Sequence, residues 1–152
     1  MTVPDAVIAS IVAALPGAEL WDGERELDPS DLVVFDGIVP PVPPRRYVVV
    51  YSDPGTVAAL AVCARSDSAT FRWQTTSVAP DRAAAHWLST TVRDGTVDTR
   101  PAAAGWSCGP VRHTFSQLPQ RDEQVMERPA VYAVDQYALV ASRVPEPVES
   151  SP

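Results

Sequence analysis

Gly105-Trp106-Ser107-Cys108-Gly109 has the G-x-S-x-G spacing that presents a serine nucleophile on a strained turn between a strand and a helix. In this chain Pro101-Ala102-Ala103-Ala104 leads in and Pro110 with a β-like run leads out, so no helix N-terminus follows and Ser107 is read as a loop residue. Any histidine-dependent mechanism must use His86 or His113, the only two. His86 lies between Ala85 and Trp87 on an expected helix, and His113 between Arg112 and Thr114 on an expected strand. With neither H-E-x-x-H nor paired cysteines, no metal site is expected, and both histidines are read as satisfied or surface residues. The carboxylate pairs Asp122-Glu123 and Glu24 with Glu26 fall in polar turns, where water solvates the acid and leaves it a poor proton donor at neutral pH. All 12 basic residues are arginine. The lack of lysine excludes a phosphate-loop lysine, a Schiff base and a lysine general base. Cys63 and Cys108 are too few for a disulfide framework and lack metal-ligand spacing. No catalytic residue, cofactor or metal ligand is expected, and the chain is read as a non-enzyme.

The elements that would have to position such residues make a single α+β domain. At 152 residues the chain can bury about two thirds of its unfolded surface in one core. The best candidate for a membrane span, Ile8 to Leu15, is far too short for one, and with Asp5 before it and no basic lead it is not expected to be a signal peptide. A net charge of −7 and scattered arginines argue against a nucleic-acid grip, which needs clustered cations. Arg45-Arg46, the one adjacent basic pair, is read as a solvated strand start.

Pro4 and Asp5 open a helix whose Ile8, Ile11, Val12 and Leu15 form one stripe, ended by Pro16-Gly17. Val33-Val34-Phe35 is a short strand candidate. Pro40, Pro41, Pro43 and Pro44 make a rigid lead into a strand over Arg46 to Tyr51, covered on one or both faces. Val57 to Arg65 is expected to form a hairpin with Ala69 to Val78. Phe71 to Val78 alternates apolar and polar residues, as a half-buried strand does. A helix then runs from Pro80 to Asp94, with Ala84, Trp87, Leu88 and Val92 as its apolar stripe and Gly95 as its stop. Val111 to Ser116 is a strand with Val111, His113 and Phe115 on one face, and Val131 to Ser142 is the last and longest. Trp73 and Trp87 are expected in the core, and Trp21 and Trp106 at an interface or over an end of the core. Residues 1–143 form the domain; 144–152, rich in proline, glutamate and serine, form a mobile tail.

A short N-terminal helix, the "YVVVY" strand after a proline-rich lead, the "WQTTSVAPDRAAAHWLSTTVRDG" element and a late strand ending "YALVASR" together resemble the tail terminator proteins of long-tailed bacteriophages. The resemblance covers Val3 to Arg143 and rests on the order of elements, so no functional position carries over from the family. It implies a mostly antiparallel sheet with two helices packed on one face. It also implies a homohexameric ring that caps the tail tube protein, ends tube growth and offers the joining surface for a head-tail connector protein. The sheet would line or border the channel and DNA would pass through unbound, past an acidic wall that repels phosphate. The protein would sit in the virion, after assembly in the host cytoplasm. The contact candidates are the segment Trp21 to Asp31, with Trp21, Glu24 and Glu26, the loop at Trp106, and the hairpin Gln120 to Arg128, with Asp122, Glu123 and Arg128. The alternatives are another neck or head-completion connector and a monomeric ligand-binding α+β domain.

Overall fold

The computed structural model describes residues 1–53, 55–57, 67–122 and 130–145. Helix α1 (Val3–Ala14) starts from a reciprocal cap: the Thr2 hydroxyl accepts the Asp5 N–H while the Asp5 carboxylate accepts the Thr2 N–H at 3.0 Å. Val3, Ala6, Val7, Ile8 and Ile11 form its buried stripe. The strands are β1 (Glu19–Leu20), β2 (Leu32–Asp36), β3 (Arg46–Ser52), β4 (Thr56–Val57), β5 (Ser68–Ala79), β6 (Trp106–Cys108), β7 (Arg112–Arg121) and β8 (Val131–Arg143), with α2 (Arg82–Thr96) between β5 and β6.

These strands form one sheet in the order β1-β2-β3-β5-β8-β6, with β4 added on β5 and β7 on β8. β1, β2 and β3 run parallel and every other pairing is antiparallel. Parallel neighbours need a crossover. Between β2 and β3 the proline-rich lead supplies it, and Val39 from that lead packs on the sheet. The expected hairpin over Val57 to Arg65, together with Cys63, lies mostly outside the described residues, although Val57 itself pairs with Ala69.

Both helices cover one face. β5 buries Ala69, Phe71, Trp73, Thr75, Ser77 and Ala79, and β8 buries Ala133, Asp135, Tyr137, Leu139 and Ala141, so in each long strand every second residue points at the helices. Val48 and Val50 extend this core through β3. The opposite face has a smaller core of Val33, Phe35 and Val49, closed by Trp21, Leu27, Val39 and Tyr47. β3 is therefore covered on both faces.

Four expectations are corrected. Helix α2 begins one residue after Asp81, whose carboxylate accepts the Ala84 N–H at 2.8 Å, so Pro80 lies outside the helix. Gly95 does not stop it. The helix runs through Thr96, and Gly95 is required because a Cβ there would collide with the Ala14 Cβ where α1 crosses. The buried stripe is Ala85, Leu88, Ser89, Val92 and Thr96, which turns Trp87 outward and leaves it 43% exposed. On β7 a bulge after His113 places His113 opposite Tyr137 and Phe115 opposite Gln136. Adjacent β8 residues face opposite ways, so Phe115 leaves the face that His113 keeps.

Candidate functional site

The inward face of β8 carries one carboxylate among apolar residues, and four donors converge on it. The Asp135 side chain is fully buried. It accepts hydrogen bonds from the hydroxyls of Ser89 and of Ser116 (2.8 Å) and from the Arg93 guanidinium (3.1 Å), and the His113 ring nitrogen Nε2 lies 3.0 Å away. Ser89 and Arg93 project from successive turns of α2, His113 and Ser116 from β7, so the cluster joins the helix to two strands. A buried charge is tolerated only when paired and hydrogen-bonded, and Asp135 is both. Burial pushes the neighbouring Tyr137 hydroxyl far above its ordinary range; the Asp135 charge adds to the rise and Arg93 opposes it. Its ring stacks on Trp73 at 5.7 Å and meets His113 at 5.3 Å.

The arrangement locks the domain together and does not resemble a nucleophilic centre. In an acyl-transfer triad the histidine stands between serine and carboxylate; here both serine hydroxyls donate to the carboxylate directly. Ser107 lies on β6, which pairs with β8 and runs through Gly109-Pro110 into β7, so no helix follows it. Cys108 is buried, and burial raises its thiol. His86 is exposed on α2 near the Thr90 hydroxyl. Among the described residues no cluster of three metal-ligating side chains occurs.

Of the expected contact residues, Trp21, Glu24 and Glu26 share one segment, and Trp106 lies apart from them. Trp21 is half-buried, edge-on to Phe35 at 5.5 Å, and its indole N–H donates to the Arg25 carbonyl at 3.0 Å. Glu24 and Glu26 are exposed on the same segment. There Arg25 is held internally by Glu19 (3.0 Å) and Asp31 (3.6 Å). Backbone N–H groups of Arg25 and Glu24 hold the Asp22 carboxyl below the usual range, and the Ser30 backbone and hydroxyl do the same for Asp28. Trp106 is at the other end of the sheet order, edge-on to Phe71 at 5.5 Å, with the Arg143 guanidinium 5.1 Å over its ring. Both tryptophans thus seal ends of cores. Asp122 follows β7, its N–H donating to the Ala130 carbonyl; Glu123 and Arg128 lie outside the described residues.

A surface that periodicity alone did not single out is the outward face of β5, β8 and β7. It carries Arg72, Gln74, Thr76 and Val78, then Val134, Gln136, Ala138 and Val140, then Phe115 and Gln117. Phe115 is 51% and Val140 55% exposed, and Tyr51 on β3 adds further exposed apolar area. Exposed apolar side chains set among neutral polar ones on a sheet face without a covering layer are the composition of a contact surface. The sequence signal was present in the alternation of β8, which puts valines on the face away from Asp135.

No known family model and no curated protein matches the chain. Its fold is similar to that of a chain in the virion of a native gene transfer agent particle, with a TM-score of 0.52, 16% identity, and coverage of 72% of this chain and 78% of that one. At that identity the likeness is one of fold.

Proposed function

We propose that the protein is a structural component of a phage-like virion, a tail terminator whose subunits close into a ring on the last ring of the tail tube. The observation that carries this reading is the outward face of β5, β8 and β7, a mixed apolar and polar surface with exposed Phe115 and Val140 and no cover among the described residues, in a fold similar to one found in a virion particle. A surface of this kind does its work when covered, and a ring covers it by repetition. On this reading the protein acts by contact: among the described residues the convergence of polar groups on Asp135 serves internal support, and Ser107 of the G-x-S-x-G segment lies on a strand. A net charge of −7 suits a conduit that lets DNA slide. No helix of the described residues is long and apolar enough to cross a membrane.

The test is addition of the purified protein to polymerising tail tube protein. A terminator stops elongation and appears at one end of each tube. Binding to the portal complex without effect on tubes identifies a connector of the neck instead. A monomer indifferent to both, with a small molecule bound between sheet and helices, identifies the ligand-binding alternative.

A further inference from the structure

The two ends of the outward sheet face differ in cover and in charge. Over β2 and β3 the chain covers its own sheet with the segment from Trp21 to Asp31, anchored by Trp21 and Leu27. That segment holds five carboxylates and one arginine, and the arginine is already engaged by Glu19 and Asp31. Asp22, Glu24, Glu26 and Asp28 therefore face outward as an acidic strip, all exposed. Over β5, β8 and β7 the outward positions hold no carboxylate in a protein with 19 of them. They hold Arg72 and Arg112 instead. Arg72 makes no ion pair among the described residues, and Arg112 meets only the exposed Asp98 at 2.8 Å.

We infer that the outward face of β5, β8 and β7 receives the Trp21 to Asp31 segment of a second copy of this chain. The inference rests on the ring reading above and specifies its contact. Phe115, Val134 and Val140 supply the apolar centre, and Arg72 and Arg112 meet Glu24 and Glu26 of the neighbour at the rim. Charge complementarity selects a copy as the occupant, because the chain carries both halves side by side on one sheet face. Where the two halves of a subunit engage two different neighbours the contact is head-to-tail, and a head-to-tail contact generates a closed ring when its rotation closes. Rim charges steer association and are screened by salt, so assembly weakens as ionic strength rises.

Two double variants test this by analytical ultracentrifugation. Arg72→Glu with Arg112→Glu makes the receiving face acidic; Glu24→Arg with Glu26→Arg makes the donating segment basic. All four side chains are exposed, so each variant should melt like the parent. Each alone should self-associate about tenfold or more weakly than the parent, since two rim attractions become repulsions. An equimolar mixture should recover assembly, because every contact in an alternating ring is then complementary again. Parental assembly that ignores both substitutions, or a mixture that fails to recover, overturns this contact and leaves the ring reading standing. A parent chain that stays monomeric at every concentration overturns both.

Discussion

The two faces of β5 and β8 are built from alternate residues of the same strands, yet they have opposite fates. Toward the helices, Phe71, Trp73, Tyr137 and Leu139 are buried and the one charge, Asp135, receives four partners. Away from the helices, Gln74, Gln136, Val134 and Val140 meet no helix, and their most direct internal contact is a long Gln136 to Gln74 hydrogen bond of 3.4 Å. One face is buried beneath the helices and the other is not. On the proposed reading stability belongs to the first face and interaction to the second, and substitutions on the two should have separable effects.

The largest effect is expected at Asp135. Asp135→Ala leaves a half-buried arginine and imidazole and two hydroxyls without their acceptor, and should cost about 3 kcal/mol in denaturant unfolding, the low end for a broken buried pair because Arg93 can reach solvent. Asp135→Asn keeps the shape and one acceptor and should cost less. Next comes Gly95→Ala, which adds a methyl where α1 and α2 touch; overpacking of this kind should cost about 1–3 kcal/mol, and Ala14→Gly in the same chain should recover part of it. On the other face, Phe115→Ser and Val140→Ser should each change unfolding by no more than about 0.5 kcal/mol while weakening self-association. A large loss of stability from either would erase the distinction between the faces.

Two pH effects sharpen the comparison further. Asp5 is held below the usual carboxylate range by hydrogen bonds from the Thr2 hydroxyl and backbone. A depressed folded pKa contributes stability that is present above the unfolded value and is lost as pH falls through the folded one. The α1 cap should thus weaken below about pH 4, and Asp5→Ala should flatten that part of the stability profile. Tyr137 has the opposite sign. Its raised value keeps the proton bound in the folded state, so its contribution holds below the unfolded tyrosine pKa of about 10 and falls as pH rises beyond it. In ultraviolet difference titration Tyr137 should ionise only with unfolding.

Much of the fold was legible because its signals are local. The alternation of Val131 to Ser142 placed β8 to within one residue, that of Phe71 to Val78 placed the centre of β5 but missed its first three residues, and the stripe of Ile8, Ile11 and Leu15 placed α1. What escaped depends on distant neighbours. Gly95 looked like a helix stop because nothing in its surroundings along the chain announces Ala14 across the helix crossing. Trp87 looked like core because the stripe was read from the largest residue; the true face follows Ala85, Ser89 and Thr96, two of them polar, since that face must bring Ser89 to Asp135. Phe115 was assigned to the face of His113 because a bulge leaves no mark in a period of two. The Asp135 cluster draws on positions 89, 93, 113, 116 and 135. Its one visible sign was a carboxylate at an inward position of β8. The parallel β1 was hidden in an acidic segment that reads as loop, since two residues carry no periodicity.

The central claim is that the protein works by joining copies of itself, and electron microscopy of the purified protein tests it most directly. The account predicts closed rings with a central hole and a particle mass that is an integral multiple of 16.3 kDa. A uniform field of single 16.3 kDa particles, unchanged by raised concentration or added tail tubes, would contradict it.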